Sequence, residues 1–322
     1  MRKALVVGIN DYPRCPLSGC INDARNISDI LNKHGDGKKN FDIVLKENVK
    51  TKGELLEYID LLFRGNPEVA LFYFSGHGYV DELGGYIVTP DYSSHDMGVS
   101  MNDILSYANG SKAENKIVIL DCCHAGAMGN IKSTDKKESI VGNGVTILTS
   151  SKDDETSMEI GGSGVFTTLL LEALNGGAAN IQGNITPGSV YAFIDQALGA
   201  WEQRPMFKTN IQKFISLRNV TPKVELDDIK ILLECFKSPL NEMKLDPSYE
   251  FTNSLEASHE VVKPYATKGN VQIFKKLQKL ESVGLVEPVG AEHMYFAAMK
   301  SKGCRLTMLG QYYWKLLSED RI

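Results

Sequence analysis

Short, almost entirely apolar segments alternate along this chain with helical patterns, and this alternation limits the fold more than any other feature. Val69–Phe74, Lys116–Leu120 and Val145–Leu148 lack the polar–apolar alternation of a half-exposed strand. Strands that are apolar on both faces are buried on both faces, as in a mainly parallel sheet covered by helices. Residues 22–33 and 51–64 carry apolar side chains at helical spacing. The sequence therefore predicts an α/β fold. Further strands are predicted at Ala4–Ile9, Phe41–Leu45, Tyr86–Val88 and Ile211–Leu217, and further helices at Phe166–Leu174 and Gly188–Ala200.

The pattern changes after the Thr221-Pro222 pair, which predicts two domains, 1–220 and 221–322. A length of 322 residues fits that number on a prior of roughly 150 residues per domain. The second region is predicted to contain helices at 227–237, 270–282 and Thr307–Leu317, with a hairpin of strands Leu285–Val289 and Met294–Met299. Helix, hairpin and helix together predict a small winged-helix-like α+β module.

Composition excludes some classes of function. The formal net charge is −5, which gives no global electrostatic reason to bind nucleic acid or an anionic membrane. We see no secretory signal and no apolar run long enough to cross a bilayer. The six cysteines form no CxxC pair, so zinc-finger spacing is absent. We expect a cytoplasmic protein with reduced thiols.

Two segments that carry reactive side chains directly follow predicted neighbouring strands. The sequence SGHG occupies residues 75–78, and DCCH occupies residues 121–124. Functional sites form at the carboxyl ends of parallel strands. An imidazole that accepts a thiol proton creates a strong nucleophile. We therefore predict Cys123 as nucleophile and His77 as base, with the amides of Gly78 and Cys123 stabilising the oxyanion.

Other interpretations of these residues exist. A cysteine after a buried strand is usually an inert core thiol, and we interpret Cys122 in this way. His124 is a competing base, although its adjacency to Cys123 makes the geometry poor. A metal site built from His77, Cys122, Cys123 and His124 is a further alternative, without a known ligand spacing to favour it. The joint placement after two parallel strands favours the Cys123–His77 pair.

These motifs resemble those of metacaspases and prokaryotic caspase-like peptidases, over roughly residues 1–218. The separation of His77 and Cys123 is similar to the roughly 50 residues known for caspases. The resemblance implies a caspase-haemoglobinase fold and hydrolysis of peptide bonds in protein substrates. Further similar segments are GINDYP (8–13), GCINDA (19–24), TSSKDDETSME (149–159), GVFTTLLLEAL (164–174) and ITPGSVYAFIDQALGAW (185–201).

The resemblance also implies an acidic specificity pocket that accepts Arg or Lys before the scissile bond. The matching positions are Cys20, Asp23, Ser75 and Asp121. Two carboxylates on a pocket floor are chemically suited to a guanidinium or ammonium group. The alternative roles are a helix N-terminal carboxylate for Asp23 and a strand-end hydrogen-bonding residue for Asp121.

Many metacaspases require calcium, and Asp91 and Asp103 match two of the family's calcium positions. Asn102 and Asn130 stand where that pattern usually has Asp. The loss of two charges weakens a site for a hard cation. We therefore expect no cofactor and little dependence on calcium.

Residues 223–322 are predicted to dock a regulatory protein partner. Nucleic-acid binding is not favoured, because ordinary solvation of a helix and hairpin surface better explains the basic residues Lys275, Lys276, Lys279, Lys300, Lys302 and Arg305. Two alternatives to a peptidase stay open at this point: a catalytically silent caspase-like scaffold, and a nucleic-acid-binding regulator acting through this module.

The loop Ala127–Asn143 follows the predicted nucleophile and contains Lys132, Lys136 and Lys137. Its polar composition predicts an accessible segment. If the specificity pocket prefers basic residues, this loop is a substrate for autocleavage. Similarity to prokaryotic relatives implies a role in a stress or antiphage cell-death response.

Overall fold

The computed structural model describes residues 1–123, 128, 141–150, 159–160, 163–198, 204–258 and 260–322. The chain divides into two compact units, Met1–Thr221 and Pro222–Ile322. The elements of the first unit are β1 (Arg2–Gly8), α1 (Cys20–Asn32), β2 (Asp42–Glu47), α2 (Lys52–Phe63), β3 (Val69–Ser75), β4 (Gly78–Val80), β5 (Gly85–Ser93), β6 (Asp96–Ser100), α3 (Met101–Gly110), β7 (Asn115–Asp121), β8 (Val145–Thr149), β9 (Glu159–Ile160), β10 (Ser163–Gly164), α4 (Val165–Glu172), β11 (Asn184–Ile185), α5 (Pro187–Ala197), β12 (Met206–Thr209) and β13 (Arg218–Asn219).

A central sheet of six described strands organises the first unit. Its order is β12-β8-β7-β3-β1-β2, and every pairing is parallel except that of β12 with β8. The sequence-based prediction of a mainly parallel α/β sheet is confirmed.

Successive residues of the central strands enter two separate hydrophobic cores. Leu5 and Val7 of β1 pack on one face of the sheet with residues from α2 and α3. Ala4 and Val6 pack on the other face with residues from α1, α4 and α5. Side chains of a strand alternate between faces, so covering both faces with helices requires a continuous apolar run. The double burial explains the sequence pattern from which the sheet was predicted.

The strand predicted at Ile211–Leu217 is wrong. The antiparallel edge strand is Met206–Thr209, and residues 211–217 are irregular. Phe214 is 72% exposed, so its hydrophobicity does not mark a core position. The true edge strand has one neighbour and four partly exposed or exposed residues, which leaves only a weak apolar pattern.

The second unit contains a small antiparallel sheet. Its elements are α6 (Leu226–Ile229), α7 (Ile231–Cys235), β14 (Glu242–Lys244), α8 (Lys268–Ser282), β15 (Val286–Val289), α9 (Met294–Met299), β16 (Gly303–Leu306) and α10 (Met308–Ser318). The strand order is β14-β16-β15. The amphipathic helix predicted at 270–282 corresponds to α8, and the one at Thr307–Leu317 to α10.

The second strand of the predicted hairpin is wrong, because Met294–Met299 is a helix. Met294, Ala297 and Ala298 are its buried residues. Burial at positions i, i+3 and i+4 is the helical repeat, which six apolar residues alone do not distinguish from a strand. Gly303–Leu306 instead pairs with Val286–Val289. The assignment of this unit to the winged-helix class stays a prediction.

Helices that combine the length and the apolar character needed to cross a membrane are absent from the described part of the chain.

Candidate active site

The register of the central sheet brings the two reactive segments to one edge. Ser75, the last residue of β3, pairs with Asp121, the last residue of β7. His77 and Cys123 each lie two residues beyond this pair. Because the two strands are parallel neighbours, both residues leave the sheet at the same level. The order of the strands therefore assembles two motifs that are far apart in sequence.

The backbones of the two motifs lie in direct contact at Gly78. A Cβ atom at this position would collide with the carbonyl oxygen of Cys123 and would lie 3.1 Å from Sγ of Cys122. Any side chain at residue 78 would displace the segment that carries Cys123. Glycine is required here for close approach of the two main chains.

His77 is held by main-chain and side-chain contacts from the segment after β1. Its Nε2 lies 2.7 Å from the carbonyl oxygen of Cys15. A carbonyl only accepts hydrogen bonds, so Nε2 carries the hydrogen and Nδ1 remains the proton acceptor of a neutral imidazole. Such a tautomer is suited to removing a proton from a thiol.

Tyr12 also contacts His77, through its hydroxyl and its ring. The amide of His77 donates to the Tyr12 hydroxyl at 3.1 Å, and this hydroxyl donates to the carbonyl of Val88 at 3.2 Å. The Tyr12 and His77 rings pack edge to face with their centroids 4.6 Å apart. These contacts fix both the backbone and the ring plane of His77.

The two adjacent cysteines have different surroundings. Cys122 is 1% exposed, and its burial, followed by the nearby Asp121 and Cys123, raises its thiol pKa well above the ordinary value. Cys123 is half-buried and so remains accessible from solvent. Because the thiolate is the nucleophile, the environment disfavours attack by Cys122.

The four predicted pocket residues are all buried in the first unit: Cys20, Asp23, Ser75 and Asp121. Cys20 and Asp23 lie in the first turn of α1, whereas Ser75 and Asp121 end neighbouring strands. The Ser75 hydroxyl donates to Oδ2 of Asp23 at 3.5 Å.

The beginning of α4 supplies donors to both carboxylates of this group. The amide of Gly164 donates to Oδ2 of Asp23 at 3.2 Å, and Thr167 Oγ1 donates to Oδ2 of Asp121 at 2.6 Å. Two buried carboxylates thus share one polar cluster, which is chemically suited to a cationic ligand.

Sequence reasoning missed Tyr12, Cys15 and Thr167 as members of this site. Tyr12 and Thr167 lie inside the GINDYP and GVFTTLLLEAL segments, so the family motifs contained a signal for them. Cys15 contributes its main-chain carbonyl, which any residue type supplies and which no sequence pattern can identify.

The two calcium candidates have other roles in the described structure. Asp91 accepts hydrogen bonds from the Lys52 amide, at 3.2 Å to each carboxylate oxygen, and from the Thr89 hydroxyl at 2.6 Å. Asp103 lies in the first turn of α3. Within the described residues, no three or more His, Cys, Asp or Glu side chains are grouped to hold a metal ion. Asn130, His124, Lys132, Lys136 and Lys137 lie outside the described residues.

Comparison with known proteins places these motifs in a wider context. A family model described as the caspase domain matches residues 1–215. The chain is 31% identical over 147 residues to metacaspase-1A of Aspergillus terreus, covering 39% of this chain and 36% of that protein. It is 25% identical over 203 residues to metacaspase-3 of Trypanosoma cruzi, covering 52% of this chain and 56% of that protein. The matched part therefore spans well under two thirds of the length of either relative.

The fold is also similar to that of a crystal structure of caspase-1 from Spodoptera frugiperda. The TM-score is 0.50 at 16% sequence identity, and the match covers 68% of this chain and 90% of the insect protein.

Proposed function

The chain belongs to the caspase family, and on this premise we propose that it is a cysteine endopeptidase with Cys123 as nucleophile and His77 as its catalytic partner. The observation that supports this most is the pairing of Ser75 with Asp121. It brings the two residues that follow each strand end to one edge of the sheet. The contact between the His77 imidazole and the Cys15 carbonyl gives further support, because it leaves Nδ1 as a base.

The reaction follows from these roles. Nδ1 of His77 removes the thiol proton, and the Cys123 thiolate attacks the substrate carbonyl carbon. The amides of Gly78 and Cys123 stabilise the resulting oxyanion. The protonated imidazole then gives its proton to the leaving amine as the peptide bond breaks. Water then attacks the thioester carbon and gives a proton to His77. The C–S bond breaks, the acid product leaves, and His77 returns its proton to the Cys123 thiolate.

We further propose that the enzyme cleaves after Arg or Lys. Asp23 and Asp121 are 2% and 6% exposed, and both belong to the polar cluster beside the strand ends. Carboxylates form strong charge-assisted hydrogen bonds with guanidinium and ammonium groups, so a substrate cation that enters this pocket gains a strong interaction. Cys20 and Ser75 complete the proposed pocket.

The test uses fluorogenic peptides that differ only in the residue before the scissile bond. Wild-type protein should cleave the Arg and Lys peptides and leave the Asp peptide largely intact. Cys123→Ala and His77→Ala should each lower kcat/KM by at least about a thousandfold, because nucleophile and base act as one unit. Circular dichroism should show that both variants remain folded.

Cys122→Ala is the matched control, since it removes the neighbouring thiol and spares the proposed nucleophile. It should retain most of the activity. Turnover by a clean preparation of Cys123→Ala would rule out the nucleophile assignment, and faster cleavage after Asp than after Arg would rule out the proposed pocket.

A role in a stress or antiphage cell-death response, and docking of a regulatory partner by residues 223–322, stay predictions from the resemblance to prokaryotic relatives.

A further inference from the structure

The segment GVFTTLLLEAL at residues 164–174 has no role in the peptidase chemistry described above, yet it touches the proposed pocket. Thr167 is fully buried, and its Oγ1 lies 2.6 Å from Oδ2 of Asp121. A carboxylate accepts hydrogen bonds, so the threonine hydroxyl donates. The neighbouring Thr168 is exposed and donates instead to the carbonyl of Gly164 at 3.1 Å.

Thr167 also contacts a buried tyrosine. The hydroxyl of Tyr73 lies 2.6 Å from Thr167 Oγ1, and the Tyr73 side chain is fully buried. Burial first, and then the charges of Asp121 and Asp23, raise the pKa of Tyr73 well above its ordinary value. Tyr73 therefore keeps its proton at neutral pH. Because the hydrogen of Thr167 is directed to Asp121, Tyr73 donates to Thr167 Oγ1 and completes a one-way chain of hydrogen bonds.

We propose that Thr167, supported by Tyr73, is a positioning residue that orients the Asp121 carboxylate and keeps it ionised for recognition of a basic substrate side chain. The proposal rests on the proposed pocket and deepens it, because it identifies what holds one of the two carboxylates in place.

We expect this role because burial and hydrogen bonding have opposite effects on the ionised form of a carboxyl group. Burial disfavours the ionised form of a carboxyl group, whereas a hydrogen bond donated to the carboxylate favours it. Donation from a hydroxyl that is itself polarised by a second donor strengthens that bond. Without Thr167, Asp121 would hold a proton at higher pH and would rotate more freely.

Other titratable groups also face this carboxylate. The charge of Asp121 acts on Tyr73 of β3 and on the adjacent Cys122, and Asp23 and Cys20 of α1 act on the same tyrosine. The proposed Cys123–His77 pair acts on every substrate. A useful assay must separate the effect of the pocket carboxylates from the effects of groups that act on every substrate.

The ratio of kcat/KM for an Arg peptide to that for the same peptide with citrulline provides this separation. Citrulline has nearly the shape of arginine and no charge, so protonation of the catalytic pair affects both substrates equally. The ratio should be measured across the acidic to neutral pH range for wild type, Thr167→Val, Thr167→Ser and Thr168→Val. Melting temperatures should be recorded for each variant.

Thr167→Val keeps the shape of the side chain and removes the donor. We expect the ratio to fall by roughly tenfold or more, the effect of one hydrogen bond to a charged group. The pH below which the ratio decreases should also be higher than in the wild type. Thr167→Ser should restore both properties. Thr168→Val is the matched control and should behave as wild type.

A Thr167→Val enzyme with the ratio and pH dependence of Thr168→Val would overturn this inference while leaving the basic preference of the wild type standing. A wild-type enzyme that cleaves the citrulline peptide as well as the Arg peptide would overturn both this inference and the proposed pocket. If Thr167→Val does not fold, the Tyr73→Phe variant provides the test. It should shift the ratio in the same direction by a smaller factor, and an unchanged ratio would reject the proposal.

Discussion

At the scale of single residues, this site depends on the difference between two cysteines that share a peptide bond. Cys122 packs in the core formed with α2 and α3, whereas Cys123 is half-buried. The chain leaves β7 after Asp121, bends at Cys122 and turns at Cys123, and this change of direction gives the two thiols different surroundings. Burial is thus the main cause of the different reactivity that we expect for two chemically identical side chains.

This difference predicts the order of alkylation. With iodoacetamide at neutral pH, Cys123 should be labelled well before Cys122, because burial raises the Cys122 pKa and lowers its thiolate fraction. The exposed Cys15 serves as an internal reference for an accessible thiol. A time course of peptide mass spectra measures all three rates in one sample.

His77→Ala should slow labelling at Cys123 and leave Cys15 and Cys122 unchanged, provided that the imidazole removes the proton of Cys123. Labelling of Cys122 ahead of Cys123 would contradict the assignment of the inert thiol.

At the scale of elements, the start of α2 shows how a candidate ligand is used by the fold. Thr51 caps this helix and accepts a hydrogen bond from the Glu54 amide at 3.2 Å. Asp91 of β5 accepts from the Lys52 amide at the first position of the helix. A carboxylate at a helix N-terminus also interacts favourably with the helix dipole. Asp91 therefore has a structural role that requires no ion.

Addition of millimolar calcium to chelator-treated enzyme should change kcat/KM by less than about twofold, since Asn102 and Asn130 replace two expected carboxylates. Thermal unfolding provides the control. Asp91→Asn should lower the melting temperature equally with calcium and with chelator. A large activation by calcium that Asp91→Asn abolishes would show that our prediction is wrong.

At the scale of the whole molecule, the first unit holds both described ends of the segment that follows the nucleophile. Lys208 of β12 donates to the carbonyl of Met128 at 2.7 Å. Asn210, just beyond β12, donates to the carbonyl of Val141 at 3.0 Å. Met128 and Val141 are therefore both held by the unit that carries the proposed active site. Tethering raises the effective concentration of a segment at a site that it can reach.

We therefore predict autocleavage after Lys136, Lys137 or Lys132. Intact mass measured after incubation should show fragments that end at these lysines in wild-type protein and a single full-length species in Cys123→Ala. Mixing the two proteins tests whether wild type cleaves the inactive chain in trans. Wild-type protein that stays whole while it turns over peptides would contradict processing.

Sequence patterns alone were sufficient for the features that depend on local order. The continuous apolar runs determined the buried parallel sheet, and the SGHG and DCCH motifs after two of these runs identified the family. Strand ends could be paired because neighbouring parallel strands present their carboxyl ends at one edge. Local patterns were insufficient at Ile211–Leu217 and Met294–Met299. There, short apolar segments fit more than one structure, and only packing selects among them.

Only the tertiary structure determined which groups hold the functional side chains in place. The Cys15 carbonyl that orients His77 belongs to the main chain, which has no side-chain signature. The chain from Tyr73 through Thr167 to Asp121 joins residues from three separate elements. A buried polar group must find its partner among whatever the fold brings near it, and that neighbourhood exists only after the sheet and helices have packed.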